Sequence, residues 1–83
     1  MKDKKYHQIV KDSYLSRSDW EELIHQWCFN EKHRKMLEMN LLDGMSYMDI
    51  AEAVELSLQQ TSTIMQREKK DFFSKVAKII NQL

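Results

Sequence analysis

The chain has 83 residues and no net charge, thirteen basic side chains balancing thirteen acidic ones. One glycine, no proline and a wealth of aliphatic, Met, Lys, Glu and Gln residues favour an all-α fold, and the length suits one small domain with a modest core, for which oligomerisation is a common remedy. A single cysteine, Cys28, excludes an intrachain disulfide framework and suits a reducing cytoplasm, while no apolar run is long enough to span a membrane and no secretory pattern opens the chain.

Residues 1–12 are charged and lack a clear period. Tyr6, Ile9 and Val10 fit a short helix docked on the core; a flexible basic arm is an equal alternative. Residues 13–17 read as a connection. Ser18 with Glu21 has the form of a capping box, and Trp20, Leu23, Ile24 and Trp27 then recur at i, i+3, i+4 and i+7, the buried stripe of an amphipathic helix ending near Cys28 or Phe29. Asn30 is a natural cap for the next helix, with Glu31 favourably placed in its first turn. That helix runs to about Asp43, buries Met36, Leu37 and Leu41, and stops at Gly44. Lys32, His33, Arg34 and Lys35 cluster near its start and are read first as a solvated face, second as phosphate contacts.

The stretch from Ser46 to Arg67 organises the rest. Ser46 caps a first helix, with Asp49 three residues on, and Ile50, Ala51 and Val54 fall on one face. Ala51 supplies the small side chain that two closely crossing helices require. Leu56 lies in the turn, Ser57 caps the second helix, and Ile64 points back at the first. The opposite side of the second helix carries Gln59, Gln60, Ser62, Thr63, Gln66 and Arg67, followed by Lys69 and Lys70. These side chains suit hydrogen bonding to base edges and phosphates. The four that form the reading face, Gln59, Gln60, Thr63 and Gln66, are expected to face solvent, and Arg67, Lys69 and Lys70 to contact phosphates.

The segment Gly44-Met45-Ser46-Tyr47-Met48-Asp49-Ile50-Ala51-Glu52-Ala53-Val54 resembles the start of the helix-turn-helix in bacterial sigma factor region 4, a pattern shared with Trp-repressor-like proteins and small phage transcription regulators. The resemblance covers residues 34–70 or so and is largely a packing pattern. It implies a second helix seated in the major groove of duplex DNA and a role in transcriptional control, with phage or mobile-element gene regulation as the setting. Two positions depart from the pattern: Glu55 stands where glycine is usual in the turn, and Thr61 where Val or Ile is usual inside the second helix.

Beyond the motif, residues 68–83 read as a continuation of the same helix. Phe72, Val76, Ile79 and Leu83 recur at spacings of four, three and four, with Phe73 and Ile80 beside them. The stripe fits either the chain's own core or a homodimer seam, and the small size of the chain favours the seam. Charge is segregated along the chain. Residues 1–11 carry four lysines and one acid, residues 12–56 four cations and ten acids, and residues 57–83 five cations and two acids. The recognition half is therefore basic and the supporting half acidic.

Catalysis and metal binding find little support. His25, Cys28 and His33 have ligand chemistry, but a closed zinc site needs a fourth donor, for which only His7 offers itself. One glycine cannot build a phosphate loop. The expectation is therefore a non-enzymatic, cofactor-free, metal-free helix-turn-helix domain of four or five helices spanning residues 1–83, binding double-stranded DNA as a homodimer through Phe72, Val76, Ile79 and Leu83. The competing reading is an adaptor for a transcription-machinery or packaging protein, suggested by the acids Asp43, Asp49, Glu52 and Glu55 around the first motif helix.

Overall fold

The computed structural model describes the backbone of residues 2–80 and the side chains of residues 5–79. Five helices account for most of it: α1 (Lys2–Asp12), α2 (Arg17–Trp27), α3 (Glu31–Leu41), α4 (Tyr47–Val54) and α5 (Leu58–Ile80). No strand occurs among the described residues. The 23 residues of α5 span about 35 Å at the α-helical rise, close to the longest dimension of the molecule, 38 Å. Helices α2, α3 and α4 pack along this rod, and α1 packs on α3.

Residues 2–12 form a helix, not an arm. Its half-buried residues Tyr6, Ile9 and Val10 pack on the core, and the Tyr6 ring stacks on Phe73 at 4.7 Å between centroids. Ser13 closes this corner: its hydroxyl donates to the Val10 carbonyl at 2.9 Å and accepts from the Trp20 indole N–H at 3.0 Å.

Helix α2 begins two residues earlier than the Ser18–Glu21 pattern suggests. The cap is Ser16, whose hydroxyl accepts from the Asp19 amide at 3.2 Å while the Asp19 carboxylate accepts from the Ser16 amide at 3.0 Å. Two overlapping serine–acid pairs were available, and the earlier one brings Arg17 into the first turn. There its guanidinium reaches Glu21 at 3.0 Å, Asp43 at 2.7 Å and the Leu42 carbonyl at 3.3 Å, tying the start of α2 to the end of α3. These partners, Asp43 first, raise the Arg17 pKa further.

Asn30 caps α3 as expected, accepting from the His33 amide at 3.1 Å. After Leu41 the chain turns through Gly44 at φ 70°, a left-handed value that glycine adopts without strain. Buried Asn40 secures the turn by donating to the Met45 carbonyl at 2.7 Å.

The core gathers Trp20 and Ile24 of α2, Met36, Leu37 and Leu41 of α3, Ile50 of α4, and Met65, Phe72, Phe73 and Val76 of α5. This corrects the dimer seam. Phe72 is 1% exposed and Val76 0%, so both are consumed inside one chain; Ile79 is half-buried, and Leu83 lies outside the described residues. The reason is phase. Thr61, Met65, Lys69, Phe72 and Val76 form one continuous buried line along α5. Trp20 closes on Phe72 and Phe73 at 6.3 and 6.2 Å between ring centroids, and the Tyr6 ring of α1 covers Phe73. Among the described residues, no helix is long and apolar enough to cross a membrane.

Candidate nucleic-acid interface

Helices α4 and α5 meet in a helix-turn-helix arrangement. The Ser46 hydroxyl accepts from the Asp49 amide at 3.2 Å and starts α4. Ile50 and Ala51 are buried, 0% and 5% exposed, while Val54, Leu56 and Ile64 are half-buried against the same core. Of the five residues expected to be buried together, Ile50 and Ala51 are, while Val54, Leu56 and Ile64 are only half-buried because they lie at the edge of the crossing.

The turn takes the left-handed route without glycine. Glu55 sits at φ 59°, ψ 43°, and the Leu56 amide donates back to the Ala51 carbonyl at 3.0 Å. This is a Schellman-type ending with an apolar residue following the left-handed one. A side chain in that conformation costs about 1–2 kcal/mol, a strain that the packing of Leu56 holds in place.

Ser57 then caps α5, and its partner is one of the expected base readers. The Ser57 hydroxyl accepts from the Gln60 amide at 3.0 Å, and the Gln60 carboxamide oxygen accepts from the Ser57 amide at 3.1 Å. Gln60 is thus the reciprocal member of a capping box.

The remaining expected residues divide by helical phase. Gln59, Thr63, Gln66, Arg67 and Lys70 are exposed along one face of α5. Ser62 is half-buried at its margin, its hydroxyl accepting from the Gln66 side-chain amide at 3.1 Å. Lys69 is the exception. It is 0% exposed, and its ammonium lies 5.0 Å from the centroid of the Tyr47 ring, so it is no phosphate contact. It follows Met65 by four positions and precedes Phe72 by three, which places it on the core side. That spacing was readable in the sequence; nearness to Arg67 and Lys70 along the chain was the wrong guide. A shallow open hollow lies at the N-terminal end of the exposed face, lined by Leu56, Ser57, Gln59, Gln60, Thr63 and Ile64.

Buried Thr61 and half-buried Glu68 mark where the motif departs from a purely apolar interior. Thr61 is 0% exposed, and its hydroxyl has no hydrogen-bond partner among the described residues. On the adjoining side of α5, Glu68 accepts from or pairs with His33 Nδ1 at 3.1 Å and accepts from the Cys28 thiol at 3.6 Å. Arg34 donates to the Cys28 carbonyl at 3.1 Å. His33 and Arg34 therefore stitch the start of α3 to its surroundings, and only Lys32 and Lys35 of that cluster remain exposed. Burial, and after it the charge of Glu68, push the Cys28 thiol up to about 11, so it stays protonated near neutrality. Among the described residues no three His, Cys, Asp or Glu side chains converge in a way that could hold a metal ion.

Facing away from the core, α4 exposes Asp49 and Glu52, with Glu55 in the turn. Two large apolar side chains are also exposed in the motif, Met48 at 66% and Leu58 at 49%. No family model, curated protein or solved structure matches the chain.

Proposed function

We propose that this chain binds duplex DNA in transcriptional control, laying the first three turns of α5 in the major groove in the manner implied by its resemblance to sigma region 4 and small phage regulators. The observation that carries the reading is the face of α5: Gln59, Thr63 and Gln66, uncharged and able to hydrogen-bond, lead into Arg67 and Lys70 on the same side. A two-helix scaffold capped at both helix starts holds that face. Polar side chains suit base edges, and cations one turn on suit the flanking phosphates.

Two cations are a small electrostatic contribution. With about two phosphates neutralised, the slope of log K against log salt is about −2. Fluorescence anisotropy with a random-sequence duplex, across a range of potassium chloride concentrations, tests this. Retention at low salt with a slope of that order supports the reading; no binding at low salt rejects it.

A protein partner is the second reading, and a specific observation favours it. Asp49, Glu52 and Glu55 occupy the helix and turn that in a DNA reader lie near the phosphate backbone, beside exposed Met48 and Leu58. Acids ringing apolar side chains suit a basic protein surface better than a polyanion. Failure on DNA combined with salt-sensitive binding to a basic transcription-machinery component would select it.

A further inference from the structure

We propose that Gln59 is the residue that specifies an adenine, and that Gln60 is a positioning residue that holds the reading helix. The inference rests on the duplex-binding reading above. Recognition of adenine by a carboxamide needs both ends of the group at once: the oxygen accepts from N6 and the nitrogen donates to N7. The exposed face of α5 offers three carboxamides, and hydrogen bonding within the chain distinguishes them.

The oxygen of Gln60 is already engaged by the Ser57 amide at 3.1 Å. Its orientation follows from chemistry, because a backbone N–H can be satisfied only by the oxygen end. Gln60 can turn to a base only by opening the cap. The Gln66 nitrogen donates to Ser62 at 3.1 Å, which holds that carboxamide along the helix, and Gln66 lies in the third turn. Gln59 is exposed and has no hydrogen-bond partner among the described residues. It stands second in α5, in the N-terminal part of the helix that approaches base edges in helix-turn-helix docking. It also borders the open hollow lined by Leu56 and Ile64.

The test is a selection from random duplexes with the full chain, comparing wild type, Gln59→Ala, Gln60→Ala and Gln60→Glu, with melting temperatures measured in parallel. Wild type is expected to recover a motif with a preferred adenine. Gln59→Ala flattens that one position, losing roughly 5- to 150-fold in discrimination, with an unchanged melting temperature. Gln60→Ala lowers the melting temperature and weakens all duplexes alike while the preferred bases stay the same. Gln60→Glu keeps an oxygen for the Ser57 amide, so it restores the melting temperature and the motif. Its added charge weakens every duplex in a salt-dependent way.

Substituting 7-deazaadenine at the selected position removes the N7 acceptor. Wild type should lose affinity for that duplex, and Gln59→Ala should not. A preference that survives Gln59→Ala, or a base preference changed by Gln60→Glu, overturns the assignment. So does a wild-type chain that binds duplexes without favouring adenine anywhere, an outcome that leaves duplex binding standing. A chain that binds no duplex at all removes both.

Discussion

Lys69 and Lys70 are neighbours in sequence with opposite fates in the fold, and replacing each in turn separates stability from binding. Lys69→Ala removes a wholly buried methylene stem and an ammonium set 5.0 Å from the Tyr47 ring centroid. Each lost methylene is worth about 0.8 kcal/mol, and a desolvated cation over an aromatic ring about 2 kcal/mol. Release of a desolvated charge offsets part of this, leaving a net loss of roughly 2–4 kcal/mol, within the range for large-to-small core changes. In a domain of this size that lowers Tm by roughly 10–25 °C. Lys69→Met keeps an unbranched apolar stem without the charge and should recover the packing part of the loss. Lys70→Ala, at an exposed position, should shift stability by no more than about 0.5 kcal/mol while reducing the magnitude of the salt slope of DNA binding by about 1. Circular dichroism melts and anisotropy titrations at several salt concentrations provide both readouts, with Lys69→Met used for binding so that unfolding does not intrude. A Lys69→Ala chain that melts with wild type, or a Lys69→Met chain with a shallower salt slope, would refute the placement of Lys69 on the core side.

Further expectations follow from the packing. Ala51→Leu should overpack the α4–α5 crossing, where Ala51 is 5% exposed, at a cost of about 1–3 kcal/mol; an unchanged Tm would show that the crossing has room. Thr61→Val exchanges a buried hydroxyl without a partner for a methyl and should stabilise by about 1–2 kcal/mol; a lower denaturation midpoint in urea would mean that the hydroxyl is satisfied. Val76→Glu places a carboxylate at a 0% exposed site and should abolish cooperative unfolding; a folded, well-dispersed amide spectrum would instead favour the intermolecular seam. Because burial raises the Cys28 thiol to about 11 from 9.0, the folded state favours the neutral thiol, and the stability this contributes is present below pH 9.0 and lost as pH rises toward about 11. Alkylation by iodoacetamide at pH 8 should accordingly be at least about tenfold slower in the native chain than in denaturant; equal rates would contradict a buried thiol.

Most of the helical architecture was legible in the residues because it depends on local chemistry. The absence of proline, the Asn30, Ser46 and Ser57 caps, the stop near Gly44 and the tryptophan stripe each act over one or two helical turns, and the structure keeps them, with α3 ending at Leu41 and not at Asp43. The cap of α2 is not legible in this way, because two serine–acid pairs overlap there and the choice between them involves Arg17 reaching Asp43, a contact between helices. In the candidate site, the exposed polar face of α5 could be read from its period. So could the burial of Lys69, whose spacing to Met65 and Phe72 carries the same information as the apolar positions.

Other features belonged to the tertiary structure alone. Whether Phe72 and Val76 face a second chain or their own depends on how much area α1 and α2 cover, and no periodicity contains that quantity: an apolar stripe states that it must be buried, not by what. The partner of Gln60 was likewise undetermined, since a carboxamide in the first helical turn can serve a cap or a ligand equally well. Only the backbone geometry at Ser57 brought its amide within 3.1 Å of the Gln60 oxygen. The sequence by itself determined helices, caps and faces, because those arise from neighbours along the chain. The allocation of each face, to core or to solvent, was decided by contacts between residues far apart in sequence, such as Tyr6 on Phe73 and Tyr47 beneath Lys69.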